Sequence, residues 1–416
     1  MKKLISAVLL CALGLPLMAA NDATLNFYQK QSLMKGNSSR EDRAFAAALA
    51  RDTALWIAAH PQDPEVKTAL LMQADYYLRA REEAKALAAL YQVRFYFPSA
   101  QDLTLLSSNV EQAMESLNRS QKAQALKVLA TDTSALTQTQ RQTVLLETLV
   151  NAKLEKMYEP VCDLFEDFFA KNPDYAGNDK LTLLYGDWHR QNENYNAAVL
   201  EYKKVNELFE NTPYKAASLR MAADVYGGDL KDYETAVAIY NQVLKQYPDS
   251  AEKGIVYKHL AVMEENRKDY GAALAYYQRA ITELGSKPAA YEAWMGKADV
   301  LIKNKDYQAA YDTQVKAAEL FAANEEKYVS ALMSAAETAD RRLKDAAGQA
   351  SALDKILLVY PQTQTAPEVM YELGYALEKQ DKKAQAVATY KRLIINYPTD
   401  RYAGRAQSRV SRLEKK

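Results

Sequence analysis

Along residues 366–398 apolar positions fall twice at helical spacing, with a short polar break between them. Met370, Leu373, Gly374 and Leu377 mark one face of a first helix, and Lys379 to Lys383 form a polar turn. Ala386, Tyr390, Leu393 and Ile394 then mark a second helix that closes at Tyr397-Pro398. Residues three and four apart share a helix face, so each set predicts an amphipathic helix with its apolar side turned inward. Proline stops the second helix because it drives the residue before it out of α geometry. Gly374 and Ala386 are expected to be small because the two helices cross there. Tyr390 is expected to fill the gap against the next helix.

The same arrangement returns along nearly the whole chain. A small residue opens each second helix at positions 50, 86, 125, 161, 198, 236, 273, 310, 350 and 386, in steps of 36 to 40. In Ala86/Pro98, Val161/Pro173, Ala236/Pro248 and Ala386/Pro398 a proline follows twelve positions later. An Asp-Tyr turn recurs at Asp232-Tyr233, Asp269-Tyr270 and Asp306-Tyr307, spaced by 37. A fixed period of this size marks stacked helix-turn-helix units, each contacting its neighbours, so core grows with length. The expectation is an all-α solenoid of about nine or ten units.

The unit at 366–398 resembles a tetratricopeptide repeat: Leu373-Gly374, Leu377, Ala386, Tyr390 and Pro398 fit that pattern, with Met370 at its first aromatic position. Neighbouring units match at Trp294, Ala298, Leu301 and Ala310; at Tyr257, Leu260-Ala261, Ala273, Tyr277 and Ala280; and at Gly186, Tyr195, Ala198 and Tyr202. The resemblance implies a right-handed α-solenoid that binds other proteins and needs no cofactor or metal. It is clear over 180–398 and degenerate over 62–179; residues 21–61 are expected to hold an N-terminal helical cap and first repeat, and 399–416 a closing helix. Arg401, Arg405, Arg409, Arg412, Lys415 and Lys416 supply the polar end that an array requires. The C-terminal stretch is similar to the ends of bacterial envelope repeat proteins, among them the Tol–Pal-associated coordinator of cell division and the repeat lipoprotein of β-barrel assembly. The chain lacks the heptad coiled coil of the first and the lipoprotein cleavage box of the second. What carries over is the class of periplasmic repeat scaffold, with a role in envelope assembly or division.

The first twenty residues read as an export signal: Lys2 and Lys3, an apolar run from Leu4 to Leu15, and Met18-Ala19-Ala20 before Asn21. The expected compartment is the periplasm, with secretion as the alternative. No later apolar stretch is long enough to span a bilayer, so attachment to the envelope would go through a partner. Lys plus Arg and Asp plus Glu are both 53, and loss of Lys2 and Lys3 would leave 51 against 53. That balance does not suit a phosphate backbone, so no nucleic-acid role is expected. Cys11 sits in the middle of the apolar run, and Cys162 lies within Val161-Cys162-Asp163-Leu164-Phe165, where it reads as a small buried hydrophobe.

No catalytic set emerges. His60, His189 and His259 form no ligand spacing; His189 is expected to pack, His60 to sit at a helix C-terminus and His259 to lie at the surface. Gly227-Gly228 reads as a turn between helices, and Glu264-Glu265 as solvated. Phosphate loops, nucleophile elbows and zinc-protease helices are absent from the sequence. What remains is a groove lined by first helices. Its candidate residues are Lys180, Leu183, Asp187, Arg190, Arg220, Asp224, Lys258, Val262, Met295, Asp299, Tyr371 and Tyr375, a polar and aromatic mixture suited to an extended peptide or a partner helix. The 29 Tyr leave a glycan- or peptidoglycan-binding protein as the alternative reading.

Overall fold

A computed structural model describes residues 40–98, 108–154 and 156–415. The expected signal segment, and residues 21–39 of the expected N-terminal cap, lie outside this range. The described residues are helical throughout, without a strand, and the chain divides at Ser218/Leu219 into two compact units.

The first unit opens with α1 (Arg40–Ala59) and continues through α2 (Val66–Ala80), α3 (Glu83–Tyr96), a short helix at 108–113, α4 (Arg119–Leu129), α5 (Gln138–Ala152), α6 (Tyr158–Lys171), α7 (Asn178–Gln191) and α8 (Tyr195–Leu208). Successive helices pack on each other, but α3 also reaches past the short α4 to pack on α5 and α6. One continuous core runs from Val66 to Trp188 and includes Tyr91, Phe95 and Phe165, all fully buried.

After α9 (Lys215–Asp224), which crosses the boundary, the second unit contains α10 (Tyr233–Gln246), α11 (Lys253–Asn266), α12 (Tyr270–Leu284), α13 (Pro288–Lys303) and α14 (Tyr307–Leu320). It closes with α15 (Glu325–Thr338), α16 (Ala346–Val359), α17 (Ala366–Lys379), α18 (Lys383–Asn396) and α19 (Arg401–Glu414). From α10 to α19 every helix packs on the next. The expected helices at 366–398 are therefore α17 and α18, and the expected closing helix is α19.

Two residues before the second helices α8, α10, α12, α14, α16 and α18 the backbone is left-handed, yet none of these residues is glycine: Glu193, Lys231, Lys268, Lys305, Lys344 and Asp381 have φ between 56° and 68°. At Lys268 the following Asp269 N–H reaches back to the Glu264 carbonyl (2.9 Å), closing the first helix in a Schellman motif. Asp269 then caps the second helix by accepting from Ala272 N–H, and Asp232 does the same from Thr235. The Asp-Tyr signal is thus a side-chain cap at α10 and α12, with the acid outside the helix and the Tyr as its first residue, while Asp306 takes the same place before α14 without a side-chain cap bond.

Two π-turns follow first helices, at Val225–Asp229 and Ala339–Leu343. They lie in the steps from 198 to 236 and from 310 to 350, the longest within the clear region. Part of the extra length is wound into the helix end. Gly227-Gly228 belongs to the first of these turns and is not a free loop: a Cβ on Gly227 would collide with Met263.

The small first-helix position is small for an aromatic ring. A Cβ on Gly374 would come within 2.5 Å of Tyr390 Cε1, and one on Gly186 equally close to Tyr202. Tyr390 therefore fills space inside its own hairpin. Tyr277 does press on the following first helix, at Gly296, where a Cβ would lie 2.6 Å from its Cζ.

Candidate binding face

The abundant Tyr have a shared internal task. Tyr202, fully buried in α8, donates to Asp187 Oδ1 of α7 at 2.7 Å. Tyr390 in α18 donates to Glu378 Oε1 of α17 at 2.7 Å, and Tyr277 in α12 to Glu265 Oε2 of α11 at 3.2 Å. For Tyr202 and Tyr390 the ring replaces the bulk missing from the first helix and the hydroxyl emerges at a carboxylate on that helix, whereas the Tyr277 ring fills space at Gly296 of α13 and its hydroxyl meets α11. Burial, followed by the neighbouring Cys162 and Glu166, raises the Tyr185 hydroxyl far above its ordinary value, and burial with Glu378 does the same to Tyr390. These rings are structural.

Around Asp224 the same bond grows into a network. The Tyr240 hydroxyl donates to Asp224 Oδ1 at 2.5 Å, and His259 Nδ1 lies 2.5 Å from the same oxygen. The second Asp224 oxygen accepts from Arg220, whose Nε also meets Glu252 Oε2 at 2.5 Å. Burial alone would raise the Asp224 pKa, but the hydrogen bond and charge of His259, with Arg220 and Tyr240 behind them, hold it below the usual carboxylate range. His259 is therefore half-buried in an ion cluster and not the surface residue its Lys258 neighbour suggested. Arg220 and Asp224, both proposed for the groove, are each other's partners.

A comparable aromatic cluster lies in the first unit. The Tyr158 hydroxyl and His189 Nδ1 are 2.9 Å apart, and the His189 ring is tilted against Tyr185 at 4.2 Å between centroids. Burial lowers the His189 pKa, in keeping with its expected packing role. Burial likewise pushes the Cys162 thiol up, although Tyr185 and Tyr158 hydrogen bonds oppose it, so the thiolate is disfavoured. Leu183, proposed for the groove, is buried. His60 follows α1 and its Nδ1 meets the Trp56 carbonyl at 2.9 Å.

Two other charged candidates, Lys180 and Lys258, bridge first helices one unit apart. Lys180 of α7 meets Glu147 of α5 at 2.6 Å. In the second unit Lys258 of α11 meets Glu292 of α13 at 2.5 Å, and Lys303 of α13 pairs back to Glu265 of α11. Lys379 of α17 pairs with Asp340, and Arg412 of α19 with Glu378 at 3.0 Å. Glu265, expected to be solvated, thus holds Tyr277 and Lys303 together. Tyr375 lies between Lys379 Nζ (4.4 Å from the ring centroid) and the Arg409 guanidinium (4.7 Å). Tyr371 packs between the Tyr390 and Tyr402 rings. Asp187 is taken by Tyr202, and Arg190 occupies the last turn of α7. Asp299 makes neither a hydrogen bond nor an ion pair among the described residues. No group of three or more His, Cys, Asp and Glu there could hold a metal ion.

Two models of the tetratricopeptide repeat match the sequence, one over residues 216–250 and 368–400 and the other over 269–325. Residues 216–250, 269–325 and 368–400 carry tetratricopeptide repeats. No curated protein sequence matches it. Among solved structures it is similar to the C-terminal part of a repeat-containing protein from Cytophaga hutchinsonii, with 15% identity over 63% of this chain and 97% of that one and a TM-score of 0.44. A tetratricopeptide repeat protein from Parabacteroides merdae gives 14% identity over 66% and 98%, with a TM-score of 0.38. A signal-transduction ATPase with a tetratricopeptide repeat sensor from Pyrococcus horikoshii gives 14% over 95% and 63%, with a TM-score of 0.45. Repeats of this kind serve as protein-interaction scaffolds.

Proposed function

We propose that the protein is a non-enzymatic scaffold of the bacterial periplasm that gathers protein partners on its first-helix face, in cell-envelope assembly or division. The observation that carries this reading is the face of the second unit. Ion pairs tie α11 and α13 together at both ends, while Val262 (41% exposed) and the half-buried Met295 lie between them. An apolar row inside a polar frame suits a protein partner. The compartment rests on the basic and apolar leader pattern of residues 1–20. Among the described residues no helix is long and apolar enough to cross a membrane.

A photo-crosslinking amino acid at Val262, compared with one at Leu358 (80% exposed, on a second helix), tests the proposal in intact cells. The expected result is a discrete crosslinked band from Val262 alone, on a protein whose first residues have been removed by export. Equal labelling from both sites, or enrichment on purified sacculi without any protein band, would overturn it.

A further inference from the structure

The binding-face reading leaves open what kind of partner fits, and the second unit carries an answer. Ion pairs border its first helices in two groups, one from α9 to α13 and the other from α11 to α19, and both groups are present on α11 and α13. Arg220–Glu252 and Lys258–Glu292 form one row, toward the helix N-termini. Lys303–Glu265, Lys379–Asp340 and Arg412–Glu378 form the other, toward the C-termini. On α11 the two rows stand at Lys258 and Glu265, seven residues apart, which is about 10 Å along the axis, close to the roughly 10–12 Å breadth of one α-helix.

Between these pairs on α11 and α13 lie Val262 and Met295, and on α15 and α17 Met333, Tyr371 and Tyr375 continue the strip, all exposed or half-buried. Met295, Met333 and Tyr371 rest on the core with one flank open, and Met adapts its shape to an incoming apolar side chain. The cations bordering the strip, Lys258, Lys303 and Lys379, already hold carboxylates. Two acids on it hold no cation: Asp299, beside Glu265, and Glu372, beside Asp340 and Glu368. Burial, and then those neighbouring carboxylates, raises both pKa values; Lys303 opposes this at Asp299, and Lys379 and Arg405 at Glu372. The open negative charge is therefore placed within an apolar strip of helix width.

We propose that this strip receives a cationic amphipathic helix of a partner protein, its aliphatic side chains on Val262, Met295, Met333 and Tyr375 and its Lys or Arg side chains on Asp299 and Glu372. The inference rests on the binding-face reading and adds the charge and shape of the partner. It gives a role to two carboxylates of this face that hold no cation.

The test uses the full chain and two synthetic helices of about 20 residues, roughly 30 Å long, with the same Leu spacing and either Lys or Glu at the polar positions. Fluorescence anisotropy should show binding of the Leu/Lys helix and not of the Leu/Glu helix, weakening as salt rises. D299N/E372Q should weaken the Leu/Lys helix about tenfold. The paired variant M295Q/M333Q, which keeps side-chain length, should weaken it as well. Equal binding of the Leu/Glu helix, or no response to D299N/E372Q, overturns the charge selection. If M295Q/M333Q still weakens binding in that case, the face itself stands as a docking surface. Failure of both helices to bind, or binding indifferent to M295Q/M333Q, removes the face as well.

Discussion

Replacing Gly374 by Ala should destabilise the C-terminal repeats, although Ala is by itself the better helix former. The added Cβ would lie 2.5, 2.7 and 2.8 Å from Tyr390 Cε1, Cζ and Cδ1, against about 3.5–4.0 Å for carbons in contact. The ring must therefore retreat by roughly 1 Å. It is fully buried, with Tyr371 5.8 Å away and its hydroxyl held by Glu378 at 2.7 Å, so little room exists. Overpacking costs about 1–3 kcal/mol, and weakening a hydrogen bond to a charged group adds part of another 1.5–3 kcal/mol. Against this the backbone gains about 1 kcal/mol. The net expectation is a loss of about 1–3 kcal/mol. Gly404 of α19 is the control, because nothing lies within 4 Å of its added Cβ; Gly404→Ala should stabilise by about 0.5–1 kcal/mol. Repeat arrays open locally, so the readout is hydrogen exchange of peptides from α17 to α19 alongside urea unfolding. G374A/Y390L should recover part of the loss, since the two changes share one space. Equal protection of Gly374→Ala and wild type, or a loss on Gly404→Ala, would show that the ring does not set this position.

Two further expectations concern the second unit. Lys231, Lys268 and Lys305 hold φ of 61°, 64° and 68°; changing all three to Gly should raise the urea midpoint, each contributing up to about 1 kcal/mol after the greater freedom of Gly in the unfolded chain is subtracted, and a lowered midpoint would refute the strain argument. The Asp224 carboxyl has a folded pKa below its unfolded value, so its stabilisation is complete above the unfolded carboxylate range, about pH 4, and is lost as pH falls through the lowered folded pKa; urea unfolding on the acid side should therefore be flatter for Asp224→Asn than for wild type, and parallel curves would deny Asp224 this role.

The hairpins were legible because period, turn and cap are local. Asp232, Asp269 and Asp306 stand where a second helix must start, and Ala236, Ala273 and Ala310 where it must be thin. The partners of the charged candidates were less legible, because they lie one repeat away. Arg220 finds Glu252, Lys258 finds Glu292 and Lys180 finds Glu147 at separations of 32 to 34 residues. Opposite charges spaced by nearly one period on first helices are the signal that would have paired them. His259 depended on Asp224, 35 residues earlier, and Lys258 beside it drew it toward the surface in the reading of the sequence. The π-turn at 225–229 shows in the sequence only as one extra residue in the step to Ala236, which a loop would explain equally well.

The unequal burial of these ion pairs divides the face by task. Lys258–Glu292 has its carboxylate 65% exposed, and such a pair adds about 0–1 kcal/mol of stability. Its value is geometric: it fixes the edge of the strip before a partner arrives and so reduces the ordering that binding would require. Arg220 differs, because it lies mostly buried between Asp224 and Glu252, and its loss would leave two half-buried carboxylates facing each other. The Arg220–Asp224–His259–Tyr240 cluster is therefore committed to holding α9, α10 and α11 in place. Specificity is left to the residues that the fold does not use for itself, which on this face are the apolar row from Val262 to Tyr375 and the two carboxylates of Asp299 and Glu372.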